Sequence, residues 1–123
     1  MGMLKNYEVM SPFISSTDDS LRRLKPGYEA PVSIVASLGD DIEEPSRNRT
    51  VLIGLIRDQE NPFATRFELR SPNPMSNIYL VQSVSFLSML DGIKYAIQNN
   101  KTEDMLLKEI SKKSGEQFEY LEL

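Results

Sequence analysis

The sequence predicts an α+β fold, in which an antiparallel sheet of four to five strands carries two C-terminal helices on one face. Short segments rich in apolar residues recur between residues 31 and 83, and the connections between them are brief. Such connections favour antiparallel neighbours, because parallel strands need long crossovers. From residue 84 onward the apolar spacing becomes helical. The 123 residues fit one domain, with an irregular part at 1–30, a meander at 31–83, and helices and a final strand at 84–123.

Four strands are predicted within the meander. Residues 31–38 alternate between apolar and small polar side chains, whereas "TVLIGLIR" at 50–57 is apolar on both faces, which indicates an interior strand. Gly54 within this segment marks a bulge or the close approach of another group to the backbone. Residues 64–70 alternate again, and a further strand is predicted at 78–83.

Two helices are predicted after the meander. The first begins at Ser83 or Ser85, whose hydroxyls can cap it, and ends near Asn99. Its apolar residues recur at helical spacing and are Phe86, Leu90, Ile93 and Ile97. The second helix begins after Thr102 and stops before Gly115. The alternating tail that follows it predicts a last strand.

The residue types that are absent exclude several kinds of chemistry. The chain has no cysteine and no histidine, so thiolate nucleophiles, zinc–sulfur sites and the usual general base near neutral pH are ruled out. An enzyme would have to use carboxylates, lysine, tyrosine, serine or a borrowed cofactor. A net charge of −4 opposes nucleic-acid binding, which needs a basic surface. We therefore expect no catalytic residue, no metal, no cofactor and no nucleic-acid partner.

The acidic segment "GDDIEEP" at 39–45 is the first candidate site. Its carboxylates are Asp40, Asp41, Glu43 and Glu44. A calcium loop needs oxygen ligands at alternating positions around a central glycine, and this pattern fails that test. A solvated loop between strands is the favoured interpretation. If the segment has a function, its clustered negative charge predicts docking onto a basic protein partner.

A second candidate surface lies on the alternating strand at 64–70. Arg66, Glu68 and Arg70 should project from one face of the sheet, with Tyr79 nearby on the following strand. Arginine and tyrosine are enriched at interface hot spots, so these four residues are a secondary site for partner binding. A cross-strand charge ladder explains the same pattern without any function and is the preferred interpretation.

The stretch "VQSVSFLSMLDGIKYAIQNN" at 81–100 follows the predicted strands at 31–38 and 50–57. This order of elements resembles small bacterial single-domain proteins in which a meander ends in a serine-capped helix. It also resembles the layout of small acidic immunity proteins from bacterial toxin–immunity systems. The resemblance implies a protein that binds a partner and performs no catalysis.

The functional prediction is a non-enzymatic cytoplasmic protein of the immunity or neutralising type that docks a basic protein partner. The chain contains no apolar run long enough for a signal peptide or a membrane span, which favours the cytoplasm and argues against membrane association. Two alternatives stay open. One is a small enzyme or ligand-binding domain that uses carboxylates, and the other is a structural subunit of a homo-oligomer.

Overall fold

The computed structural model describes residues 1–22, 33–37, 51–56, 58 and 60–111. Helices predominate in these ranges. In chain order the elements are α1 (Gly2–Lys5), α2 (Tyr7–Ile14), α3 (Asp18–Arg22), β1 (Ser33–Ser37), β2 (Val51–Ile56), a 3-10 turn (Pro62–Ala64), β3 (Arg66–Leu69), α4 (Ile78–Gln98) and α5 (Glu103–Ser111).

The prediction of a four- to five-stranded antiparallel sheet is wrong. The described residues form a three-stranded sheet in the order β1–β2–β3, in which β1 and β2 are parallel and β2 and β3 are antiparallel. A connection between parallel strands needs about a dozen residues or more. Residues 38 to 50, which separate β1 from β2, are long enough for this. The central position of β2 confirms the interior strand that its apolar sequence predicts. The predicted last strand at the C-terminus lies outside the described residues.

The segment predicted as a strand at 78–83 is the start of α4 instead. Asn77 caps this helix, because its side-chain oxygen accepts hydrogen bonds from the backbone N–H groups of Tyr79 at 3.0 Å and Leu80 at 3.3 Å. The Ser83 hydroxyl donates to the Tyr79 carbonyl at 2.7 Å, so it lies inside the helix and does not cap it. The predicted end near Asn99 is confirmed, since α4 ends at Gln98.

The N-terminal part is helical where the sequence predicted irregular structure. Residues 1–22 hold α1, α2 and α3. At the start of α3, the Thr17 hydroxyl accepts a hydrogen bond from the Ser20 N–H at 3.2 Å, and the Ser20 hydroxyl accepts one from the Thr17 N–H at 3.0 Å. This reciprocal arrangement is a capping box in which serine takes the place of the usual glutamate.

The main hydrophobic core joins β2 to the helices α1 and α5. Its buried residues are Leu4, Leu52, Ile53, Leu55 and Ile110. Ile53 is paired with Leu69 and Leu55 with Phe67, so these four side chains share one face of the sheet. Helix α5 contacts β1, whereas α4 packs mainly against α1 and α2. The prediction that both C-terminal helices cover one face of the sheet is therefore wrong for α4.

Helices α1 and α4 cross in backbone contact at two glycines. A Cβ atom on Gly92 would lie 2.6 Å from the backbone nitrogen of Gly2, and a Cβ atom on Gly2 would collide with the carbonyl oxygen of Ser88. Gly2, Ser88 and Gly92 are all buried there. Any larger side chain at the crossing would push the two helices apart, because backbone atoms cannot turn aside as a flexible side chain can.

Within the ranges that the structure describes, no helix has the length and apolar character needed to cross a membrane.

We predict that Gly92→Ala destabilises the chain although alanine is the better helix former. The gain in helix propensity is at most about 1 kcal/mol, whereas overpacking costs about 1–3 kcal/mol. Thermal unfolding followed by circular dichroism should give a lower melting temperature for Gly92→Ala. Gln82→Ala, at an exposed position on the same helix, is the matched control and should change the unfolding free energy by no more than about 0.5 kcal/mol. An unchanged or raised melting temperature for Gly92→Ala would contradict the close crossing.

Candidate functional site

The acidic segment predicted as the first site lies outside the described residues. Asp40, Asp41, Glu43 and Glu44 all fall between residues 38 and 50. Their assignment as a docking site is untested by the structure and stays a prediction.

The second candidate surface is present on β3 and at its end. Arg66, Glu68 and Arg70 alternate along the chain, and Glu68 is paired with Gly54 of β2, so the three charged residues occupy the face of the sheet that Gly54 shares. The Nε of Arg70 donates a hydrogen bond to Oε1 of Glu68 at 2.9 Å. The Arg70 side chain is 13% exposed and the Glu68 side chain is 52% exposed. The arginine is thus held against the sheet while its carboxylate partner faces outward.

Gly54 makes room for this arginine. A Cβ atom built on Gly54 would collide with Nη2 of Arg70 and would lie 2.7 Å from its Cζ. The guanidinium group therefore lies across the β2 backbone at the one position of that strand that has no side chain. The sequence prediction that Gly54 marks a close approach to the backbone is confirmed.

The other two members of the predicted surface differ from each other. Arg66 is exposed, and its Nη1 donates a hydrogen bond to the Ala64 carbonyl at 3.0 Å, which directs the guanidinium along the strand. Tyr79 is 77% exposed but belongs to the first turn of α4. The sequence grouped Tyr79 with the arginines because it expected a neighbouring strand, and that reason is wrong.

Two guanidinium groups and one carboxylate on a single sheet face can bind a molecule that carries both signs of charge. Arginine presents a planar fork of donors that matches carboxylate and phosphate oxygens. The half-exposed carboxylate of Glu68 can accept hydrogen bonds from an ammonium group. In the parts of the chain that the structure describes, no three carboxylates come together as a metal site would require. The chemistry available on this face is therefore recognition of charged groups.

A second polar cluster, which the sequence reading missed, joins α4 to α5. Glu109 is only 1% exposed. Its Oε2 accepts a hydrogen bond from the Tyr95 hydroxyl at 2.9 Å, and its Oε1 lies 2.7 Å from Nζ of Lys101. The Lys101 ammonium also lies 5.5 Å from the centre of the Tyr95 ring. The sequence did contain a sign that Glu109 is buried. Glu109 follows Leu106 by three residues and precedes Ile110 by one, which places it on the apolar side of α5.

The cluster shifts the pKa values of two of its members in the same direction. The hydrogen bond from the Lys101 ammonium to Glu109 raises the pKa of Lys101 above its usual value of 10.5, because the neighbouring carboxylate favours the charged ammonium. Burial raises the pKa of Tyr95 above its usual value of 10.0, and its hydrogen bond to Glu109 adds to this.

We predict that the chain loses stability at alkaline pH through this cluster. A group whose pKa is raised by folding contributes stability that is complete below its unfolded pKa and is lost as the pH rises through its folded pKa. The loss should therefore begin above the usual values of 10.0 for Tyr95 and 10.5 for Lys101. Urea unfolding at a series of pH values between about 8 and 11 measures it.

Two substitutions separate this cluster from general alkaline effects. Lys101→Met should reduce the pH dependence of the unfolding midpoint, because the raised pKa of Lys101 is removed and only that of Tyr95 remains. Lys94→Met, on the exposed side of α4, is the matched control and should leave the dependence unchanged. Equal pH profiles for the two variants would show that Lys101 does not couple to Glu109 in solution.

Comparison with known proteins gives a consistent result. The family model for the glutamine synthetase catalytic domain matches residues 1–121. A glutamine synthetase of Streptomyces filamentosus is 36% identical over 110 residues, which cover 89% of this chain and 22% of the relative. A glutamine synthetase of Mycobacterium tuberculosis is 36% identical over 109 residues, which cover 89% of this chain and 21% of the relative. One of Aquifex aeolicus is 35% identical over 103 residues, which cover 84% of this chain and 20% of the relative. The chain spans about a fifth of the length of these relatives.

These matches correct the functional predictions. The resemblance to immunity proteins is wrong, and so is the prediction of a non-enzymatic binding protein, because the matched family is a catalytic domain. Nor do the matches support the alternatives of a small carboxylate enzyme, a ligand-binding domain or a structural homodimer subunit. The resemblance depended on a meander that ends in a serine-capped helix, whereas α4 begins at Ile78 and is capped by Asn77. The lack of histidine and cysteine excluded only the chemistry of those two residues.

Proposed function

The chain belongs to the glutamine synthetase catalytic-domain family, and from this we propose that it supplies one part of the active site of an enzyme that makes glutamine. The curated relatives are named glutamine synthetases, and each is about five times as long as the stretch that matches this chain. The proposed role is to provide some of the side chains that contact the substrates.

The charged face of β3 is the observation that carries this proposal. Glutamine, the product that the relatives are named for, carries an α-carboxylate and an α-ammonium group. The guanidinium groups of Arg66 and Arg70 are matched to a carboxylate, and the half-exposed carboxylate of Glu68 is matched to an ammonium group. These complementary charges on a single sheet face suit an amino-acid substrate or product.

The way in which Arg70 is held suits it to a catalytic surface. Its side chain is 13% exposed, bonded to Glu68 and placed across Gly54. A charged group that is already fixed does not have to reorganise when the reaction develops charge, and such preorganised groups are the main source of electrostatic stabilisation in enzymes. An exposed arginine on a flexible stem would first lose conformational entropy on binding.

The cluster of Tyr95, Lys101 and Glu109 is less suited to substrate binding. The two oxygens of Glu109 are occupied by Tyr95 and Lys101, and its carboxylate is buried. Because it joins the end of α4 to α5, its proposed role is to hold the second of these helices in place.

The proposed location of the reaction is the cytoplasm, as the sequence predicted. Support comes from the product named by the relatives, because glutamine is a building block of proteins and proteins are made in that compartment.

The test is a chimera in which this chain replaces the matched 110-residue stretch of the Streptomyces filamentosus enzyme. We predict that the chimera forms glutamine and that Arg70→Met within it lowers kcat/KM by about 100-fold or more, the loss expected for removing one preorganised charged donor. Arg22→Met is the matched control, because Arg22 is an exposed arginine whose ion pair with Asp19 lies within α3. It should change kcat/KM by less than about two-fold.

Two results would contradict the proposal. One is an Arg70→Met chimera as active as the Arg22→Met chimera, which would remove the charged face of β3 from the active site. The other is a folded, assembled chimera that forms no glutamine, which would mean that this chain does not supply the family's catalytic groups. Circular dichroism and gel filtration establish folding and assembly before the rates are compared.

A further inference from the structure

We propose that Ser15 and Ser76 are positioning residues for Arg70, which they hold in place by fixing the loop that joins it to α4. This loop, residues 71–77, is here called the β3–α4 loop. The inference rests on the proposed function, in that it takes the Arg70 guanidinium to serve a catalytic surface. It goes further by naming the side chains, remote from the guanidinium, that keep it where it is.

The β3–α4 loop has few backbone donors of its own. Its sequence is "SPNPMSN", in which Pro72 and Pro74 carry no backbone N–H. The side-chain oxygen of Asn73 accepts a hydrogen bond from the Met75 N–H at 2.9 Å, and the carbonyl of Asn73 accepts one from the Ser76 N–H at 2.9 Å. These two bonds join residues within the loop. Its position relative to the rest of the chain therefore depends on contacts with a neighbouring element.

The end of α2 supplies such contacts. Ile14 is the last residue of α2, and a helix leaves its final carbonyls without a donor of its own. The Ile14 carbonyl accepts hydrogen bonds from the Asn73 N–H at 2.9 Å and from the Ser76 hydroxyl at 3.0 Å. The hydroxyl of Ser15, the residue that follows α2, donates to the Ser71 carbonyl at 3.3 Å. Three hydrogen bonds thus attach the loop to the end of α2.

The attachment lies largely in the interior of the chain. Ile14 and Ser71 are fully buried, Ser15 is 4% exposed, and Ser76 is half-buried. Water cannot readily replace a hydroxyl donor at such a place, so the loss of one leaves a buried carbonyl less well satisfied. The two serine hydroxyls therefore contribute more to the position of the loop than they would at an exposed site.

The attached loop begins directly after Arg70. On one side, the Arg70 backbone N–H donates to the Leu52 carbonyl at 3.0 Å, which ties it to β2. On the other side, the Ser71 carbonyl is held by Ser15. The guanidinium extends from this fixed point over the β2 backbone. A misplacement of about 1 Å can lower the rate of an enzyme by about 100-fold, so the bonds that fix this point affect how well the guanidinium can act.

The first test measures the motion of the Arg70 Nε–H in the 123-residue chain by nitrogen-15 NMR relaxation. The signal is assigned by its loss in Arg70→Met. We expect Ser15→Ala combined with Ser76→Ala to lower the order parameter of this group from about 0.8 to below about 0.6, since the loop that follows it is released. If the pair of substitutions prevents folding, Ser76→Ala alone, at the half-buried position, should give a smaller fall in the same direction.

Three controls separate release of Arg70 from general loosening. Ser83→Ala also removes a hydroxyl that donates to a carbonyl, but this bond lies within α4, so the order parameter of Arg70 should not change. The backbone N–H groups of β2 should stay rigid in every variant, with order parameters near about 0.85. Ser76→Thr keeps the hydroxyl and, on the Ser15→Ala background, should restore part of the order that Ser76→Ala removes.

The second test is a double-mutant cycle in the chimera with the Streptomyces filamentosus enzyme. If the two serines act through Arg70, their joint substitution by alanine should lower kcat/KM by about ten-fold where Arg70 is present. In the Arg70→Met background the same substitutions should lower it by less than about two-fold, because the group that they position is already gone. A merely structural role would lower kcat/KM by the same factor in both backgrounds.

Three results would overturn the proposal. These are an Arg70 order parameter in the double-serine variant equal to that in Ser83→Ala, an equal loss of order in the β2 backbone, and an equal fall in kcat/KM in both backgrounds. A chimera that forms no glutamine would remove the proposed function, whereas the fall in the Arg70 order parameter would still support the positioning role. The two failures are therefore distinguishable.

Discussion

Gly2 and Gly92 let α1 and α4 approach until their backbones touch, and this contact holds the longest helix against α1. Helix α1 carries Leu4 into the core beside Leu52 and Ile110, so it links α4 to the sheet. A side chain at the crossing would separate the longest helix from this core. The close packing of protein interiors allows little adjustment, because there is no free space to absorb the displaced atoms.

A glycine also sets the geometry of the candidate site. Gly54 leaves the central strand open at one point, and the guanidinium of Arg70 occupies that space while bonded to Glu68. The consequence is an arginine held almost fully against the sheet, on the face opposite the core residues Ile53 and Leu55. The site therefore gains its rigidity from the same strand that stabilises the fold, an arrangement in which a rigid scaffold places charged groups for catalysis.

The hydrophobic core uses only part of the apolar surface of the described residues. It unites β2 with α1 and α5, whereas Tyr79, Phe86, Ile93 and Ile97 of α4 are exposed. Burial of apolar area is the dominant favourable term in association, so these side chains favour contact with further protein.

The sequence by itself determined the features that depend on local pattern. These are the interior strand around Gly54 and the end of α4 near Asn99; at Gly54 the sequence left a bulge or a close approach open, and the structure has the close approach. Tertiary structure decided the rest. The six residues at 78–83 are too few to tell the period of a strand from that of a helix. In the structure they are helical, because Asn77 caps the helix at this point and α4 continues beyond them to Gln98. Three contacts join residues on separate elements, and no local pattern encodes them. They are the parallel pairing of β1 with β2, the bonding of Glu109 to Tyr95 and Lys101, and the crossing of Gly2 with Gly92.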